Sequence, residues 1–390
     1  MTSEPAVRNR CHRGPGDLRA LLKLGAVAIC WVVMAGAAQT GEPSDSRAEL
    51  HRKIVEKGIQ YLASNGQAED GSFSSFAGTG PTSLAVTALL RNGLSPQDPI
   101  VAKGLAYLES CAQANGGIYG MKGMFGNYET CAAMMCFQEA NRDGKYEAIL
   151  ARAEKYVRGL QWDESRDRES SDAYYGGAGY GGDSRPDLSN TAFLVDAIKA
   201  RGADGGDEAI QKALAFVSRC QNLESEHNTT PFAAKINDGG FYYTCVPSVQ
   251  DKERMTAAGG LRSYGSMTYA GLKSMIYAGL TRDDPRVKAA ITWIRKHYDL
   301  TSNPGMGSAG LYYYYHTFAK SLEALGEELF EDAGGVKHDW RRELIAELAR
   351  RQQENGSWIN AESSRWMEGD PNLVTSFALL ALSHCRPKTE

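Results

Sequence analysis

Apolar positions recur along the chain in two alternating styles. The first style is a short phrase of small residue, aliphatic, any residue, aromatic, aliphatic. It appears as Gly58-Ile59-Gln60-Tyr61-Leu62, Gly104-Leu105-Ala106-Tyr107-Leu108, Ala213-Leu214-Ala215-Phe216-Val217 and Ala290-Ile291-Thr292-Trp293-Ile294. Degraded copies stand at Ala153–Val157 and Leu344–Leu348. Apolar residues three and four apart share one helical stripe, so each phrase predicts an amphipathic helix. The second style is apolar nearly all round, as in "TSLAVTALLRNGL" and "TYAGLKSMIYAGL", and opens at Thr82, Thr130, Thr191, Thr268, Thr317 and Thr375. A helix without a polar face is buried on every side.

Six such pairs predict an all-α fold, an α/α toroid (α6/α6 barrel) of six helix-pair repeats. Six apolar helices form the inner ring and six amphipathic ones surround it. Closure removes the exposed ends of an open solenoid, which is the structural alternative. Between the two helices of most pairs stands a Gln (Gln67, Gln113, Gln161, Gln221, Gln352), then a Gly-aromatic turn around Gly71, Gly117, Gly179, Gly240, Gly310 and Gly356. The Gln amide is expected to bridge the carbonyls ending one helix and the amides opening the next. The Gly relaxes the backbone there and the aromatic covers the junction. The threonines read as helix caps.

"QAEDGSF", "QANGGIY" and "QQENGSW" resemble the QW repeats of the squalene cyclase, terpene cyclase and protein prenyltransferase superfamily. The resemblance spans residues 50–386 and implies the toroid, with a central cavity that holds an isoprenoid or polyene in relatives. The family's catalytic motifs do not carry over. No D-x-D-D acid occurs; the adjacent acids Asp283 and Asp284 stand in a polar turn before Pro285. The diphosphate-binding D-D-x-x-D motif is missing as well. The prenyltransferase zinc positions resemble Tyr264, Ser266 and His316, and one His of three ligands does not hold zinc. No metal or other cofactor is therefore expected.

The 390 residues include 42% apolar and 23% charged residues, as in a globular chain with a large core. A formal charge of −4 disfavours nucleic acid as a partner. Residues 1–38 place Arg8, Arg10, Arg13, Arg19 and Lys23 before "LGAVAICWVVMAGAA". That order reads as a secretory signal, with an uncleaved anchor as the alternative and a linker over 39–49. The protein is then expected to be secreted or periplasmic, touching a membrane only through that segment. Cys111, Cys131, Cys136, Cys220, Cys245 and Cys385 permit disulfides without selecting any.

Inner helices of one direction would bring Glu129, Asn190, Tyr264, Ser266 and His316 to one opening, where helix amino ends bias mildly toward an anion. Three tyrosine-rich turns supply Tyr175, Tyr180, Tyr242, Tyr312 and Tyr315 as a pocket wall for an apolar or amphipathic ligand. Turn packing is the plainer role for such residues. The insertion between Gln221 and Arg262 reads as a lid. Two functions follow from different classes. One is an exported toroid binding an isoprenoid-like or other apolar small molecule or lipid. The other is an enzyme acting on carbohydrate or peptide with Glu129 and His316 as an acid-base pair, or else a protein-interaction scaffold.

Overall fold

The computed structural model describes residues 44–120 and 123–386; residues 1–38, read from sequence as a secretory signal, lie outside them. Helices follow in the order α1 Ser44–Tyr61, α2 Gly80–Arg91, α3 Pro99–Ser110, α4 Gly126–Ala140, α5 Glu147–Arg158, α6 Leu188–Ala200 and α7 Glu208–Arg219. The short α8 Ala233–Ile236 sits in the insertion. Then come α9 Gly265–Tyr277, α10 Pro285–Lys296, α11 Leu311–Leu325, α12 Trp340–Arg351 and α13 Pro371–Ser383. A two-stranded hairpin, β1 Phe330–Glu331 and β2 Lys337–His338, joins α11 to α12. None of the described helices is long and apolar enough to cross a membrane.

The inner helices touch in the sequence α2, α4, α6, α9, α11, α13, and α13 returns to α2. The fold is therefore a closed α/α toroid. Helices α3, α5, α7 and α10 back onto this ring from outside, while α12 and α1 cover α13. The first helix begins at Ser44, within the stretch expected as linker. The six cysteines among the described residues are free thiols, and all but Cys111 are buried.

The Gln–Gly junction works differently from the sequence expectation. Gln67 Nε2 donates to Gly71 O (3.0 Å) and to Ile100 O (2.8 Å) in the first turn of α3. Gln161 repeats this with Gly176 and Ala209, Gln221 with Gly239 and Arg286, and Gln352 with Gly356 and Ile54. The amide only donates, and it ties each turn to the next outer helix. The bond from Gln352 to α1 closes the outer ring. Gln113 departs from the set, donating to Cys111 O and Tyr119 O inside its own turn.

Gly71 and Gly356 show why that turn requires glycine. Both have positive φ (90° and 89°), and a Cβ on either would run into a backbone carbonyl, of Lys103 or Lys57. In the middle repeats the same role falls to Gly116, Gly176 and Gly239 rather than Gly117, Gly179 and Gly240. Two residues further on, the turn is pinned to the inner ring. Phe73, Ile118, Ala178, Phe241 and Trp358 donate their N–H to Thr82, Thr130, Thr191, Thr268 and Thr375. Five threonines thus hold turns rather than cap their own helices; Thr317 bonds back within α11.

The inner helices are not uniformly apolar either. Asp196, Lys273 and Lys320 are buried among them. Asp284 of the Asp283-Asp284 pair caps α10 at Arg286 N.

Candidate functional site

The amino ends of the six inner helices converge on one cavity of about 250 Å³. Each helix contributes from its first turns: Pro81, Tyr128, Asn190 with Phe193, Ser266 with Met267, Tyr313, and Leu373 with Phe377. Because all six meet there, the inner helices run in parallel.

Loop residues complete the wall for a local reason. The first N–H groups of a helix lack partners within it, and the following repeat supplies them. Tyr180 O accepts from Asn127 N (2.8 Å) at α4, and Tyr243 O accepts from Leu188 N (2.7 Å) at α6. Pro304 O accepts from Gly265 N (2.8 Å) at α9. At α11 a side chain takes this part: Glu368 Oε1 accepts from Tyr312 N (2.8 Å) and Tyr313 N (2.9 Å). Tying these loops across the helix ends leaves Tyr180, Tyr243 and Glu368 on the cavity wall.

Carboxylates cover further amino ends. Asp187 accepts from Asn190 N and Nδ2 (2.9 and 2.7 Å), and Asp370 from Leu373 N (2.8 Å). At α4, α6, α9, α11 and α13 first-turn donors are met within the protein, so the protein's own acids offset much of the anionic bias expected of the mouth.

The wall is mostly aromatic and aliphatic, with a few polar handles. Ser189 and Tyr313 share a hydroxyl hydrogen bond of 2.9 Å, and Asn190 Oδ1 is buried without a partner. Burial raises the pKa of the Tyr128, Tyr180, Tyr243, Tyr264 and Tyr313 hydroxyls, which therefore stay neutral. Burial also lifts Glu368 to about 7, against the pull of its N–H donors. It is the one carboxyl among the lining residues.

The rim is built from the insertion and from residues 365–368. Trp366 and Met367 both take left-handed backbone (φ 54° and 64°), a strained shape for such side chains. They stand part-exposed over the cavity. The Arg254 guanidinium, from the insertion, lies over the Tyr243 ring (4.8 Å) and reaches toward Trp366 (5.9 Å).

Of the residues singled out in the sequence, Tyr180, Asn190, Tyr264 and Ser266 line this cavity. Tyr175, Tyr242, Tyr312 and Tyr315 do not. Their hydroxyls bond to Glu164 Oε1, Arg219 O, Ile359 O and Leu300 O within the turns. Glu129 is buried behind the wall, where Oε2 accepts from Gly120 N (2.6 Å) and burial raises its pKa. His316 lies deeper, a turn past Tyr313, with its ring stacked 6.0 Å from Phe377. No hydrogen bond joins Glu129 to His316 among the described residues.

Phe125, Tyr128, Ser189, Phe193, Tyr243, Tyr313, Trp366 and Glu368 also line the cavity and are not among the residues expected from the sequence. Helical phase was the available signal for Tyr313, because it stands seven residues before the buried Lys320 and shares its stripe. No group of three His, Cys, Asp or Glu that could hold a metal occurs among the described residues.

A family model described as the squalene-hopene cyclase C-terminal domain matches residues 81–246, less than half of the chain. No curated protein matches the sequence. Among solved structures, the apo type II terpene cyclase MstE from Scytonema is similar at 11% identity and a TM-score of 0.49, over 88% of this chain and 98% of that one. A glycosidase variant is similar at 14% identity and a TM-score of 0.48, over 89% and 99%. An MstE variant in complex with its substrate geranylgeranyl dihydroxybenzoate follows at 12% identity and a TM-score of 0.34, over 88% and 99%.

Proposed function

We propose that the toroid binds an apolar, isoprenoid-like small molecule through the mouth where its inner helices begin. The observation that carries this reading is the wall itself: Phe125, Phe193, Met267, Leu373 and Phe377, interleaved with neutral tyrosines, around one half-open space. Apolar surface leaving water drives such binding. Asn190, Ser266 and the Ser189–Tyr313 pair would orient a hydroxyl or carbonyl on the ligand. Tyr180 and Tyr264 supply amphipathic wall beside them. The reading is one of binding rather than turnover, since the wall's single carboxyl is committed to the amino end of α11. It includes export, on the N-terminal sequence pattern alone.

Farnesol, a neutral fifteen-carbon isoprenoid alcohol, tests this directly. Titration should quench or shift the fluorescence of Trp366, which stands over the cavity, and should saturate. Filling the space with Met267→Trp should weaken farnesol at least about tenfold, because overpacked walls relax poorly. Failure to bind farnesol, or equal affinity in the variant, would discard the cavity as the ligand site. Organic extraction of the purified protein followed by mass spectrometry should recover a stoichiometric apolar compound.

A further inference from the structure

Two turns below the cavity, on the same inward stripes, lies a cluster that apolar ligand binding does not use. Asn190, Phe193 and Asp196 follow one face of α6, Ser266 and Lys273 one face of α9, and Tyr313 and Lys320 one face of α11. Seven residues of helix put the cluster about 10 Å deeper along the ring axis. Asp196 Oδ2 accepts from both Lys273 Nζ (2.5 Å) and Lys320 Nζ (2.7 Å). Asp196, Lys273 and Lys320 are only 7%, 3% and 8% exposed.

The polar atoms there are far from satisfied. An ammonium carries three N–H donors. Among the described residues each lysine makes the one hydrogen bond just named, and Lys273 also lies 5.9 Å from the Tyr277 ring. Most of their donors therefore lack a hydrogen-bond acceptor. Asp196 Oδ1, His316 Nδ1 and Ser321 Oγ are buried without partners. Unmade hydrogen bonds on buried groups are expensive, and native structures rarely leave several together. Asp196, His316 and Lys320 each keep 7–8% of their surface free. Protein therefore does not fill the space beside them.

The surrounding charge selects the occupant. Burial lowers the Lys320 pKa to about 8, so near pH 7 two ammoniums still face one carboxylate, a local excess of about one positive charge. Around them, Arg91 is paired with Glu139, and the half-exposed Glu323 is taken by His384 Nδ1 (2.6 Å). His316 stays neutral, since burial and then Lys320 lower its pKa. The negative helix carboxyl ends act within their last turn; Lys320 stands five residues from the end of α11 and Lys273 four from the end of α9, at the edge of that reach. Water would meet the donors but leave the charge unbalanced.

We propose that Lys273, Lys320 and His316 form a buried site for a small oxyanion of the phosphate or carboxylate type, with Asp196 as its internal competitor. The oxyanion is either free or the acidic end of a molecule lodged in the cavity above. The site stands apart from the reading of the cavity, because neutral farnesol probes that reading and a bare anion probes this one.

Calorimetric titration of the full chain with inorganic phosphate, and separately with dodecanoate, distinguishes the sources. Saturable phosphate binding that Lys320→Met weakens by about tenfold or more is expected. Asp196→Asn keeps the shape and removes the competing charge, so phosphate should bind the variant several-fold tighter. Dodecanoate binding without phosphate binding, lost in Lys320→Met, would identify the oxyanion as the head of a longer ligand. The proposal is overturned if neither anion binds, or if both variants bind as the parent does. Should Lys320→Met not fold, the parent itself decides: an ion triad of purely structural purpose binds neither phosphate nor dodecanoate while its carboxylate is in place.

Discussion

At the upper mouth of the ring, six helix amino ends surround a cavity with one carboxyl in its wall; two turns lower, three of the same helices place an aspartate and two lysines on the axis. The upper region starts with an excess of donors, and the following repeats, with the N-cap acids of α6 and α13, absorb it. Backbone carbonyls of Tyr180, Tyr243 and Pro304, with the side chains of Glu368, Asp187 and Asp370, occupy the helix ends. The wall is then free to be greasy. The lower region has no loop to reach in, and its side chains balance one another incompletely. Loops can neutralise a ring at its rim but not in its middle, so polarity left on the axis is a candidate for binding.

The strongest way to break this contrast is to strip the lower cluster of its acid. Asp196→Ala leaves two buried ammoniums facing each other and should cost about 3–5 kcal/mol in urea unfolding. Replacing all three members together with apolar residues of similar size should cost far less, and should abolish phosphate binding. A loss under about 1 kcal/mol for the single change would mean that the lysines are better solvated than their burial implies.

The upper region offers a pH test. Glu368 has its pKa raised by burial from the usual 4.5 to about 7. The folded state therefore holds this proton more tightly than the unfolded chain. The associated stability is complete below pH 4.5 and is lost as pH rises through about 7. It amounts to roughly 3 kcal/mol at full effect. Glu368→Gln should flatten the parent's stability slope over that window, read by denaturation at pH 4.5, 6 and 8. An unchanged slope would place the titration elsewhere.

Ring closure is common to both regions and should show the smallest effects. Gln352→Ala removes the two hydrogen bonds that join the last turn to α1, at about 1–3 kcal/mol. Gln113→Ala, whose amide serves only its own exposed turn, should cost less than about 1 kcal/mol. Equal losses would show that bonds between outer helices add nothing beyond local turns.

Much of this architecture was legible because repeats state it several times. The alternation of amphipathic and apolar helices named the two rings, and the Gln and Gly offsets marked the turns. The site was harder to read. Tyrosine runs such as Tyr312–Tyr315 look uniform in sequence, but only Tyr313 turns toward the cavity. The others send their hydroxyls to the backbone carbonyls of Ile359, Asp299 and Leu300 outside it. Glu368 gave no warning, since its role depends on a strained loop meeting a helix 55 residues away in the chain. The charges at Asp196, Lys273 and Lys320 did break apolar segments visibly, and that interruption was the clue available.

By itself, then, the order of residues determined which segments are helices, which helices are buried all round and where each turn falls, because helical period and glycine geometry are local properties. Only the tertiary structure decided which side chains share the axis. That choice depends on the phase of six helices relative to one another. It also depends on loops from one repeat closing the ends of another, which are contacts between residues far apart in the chain.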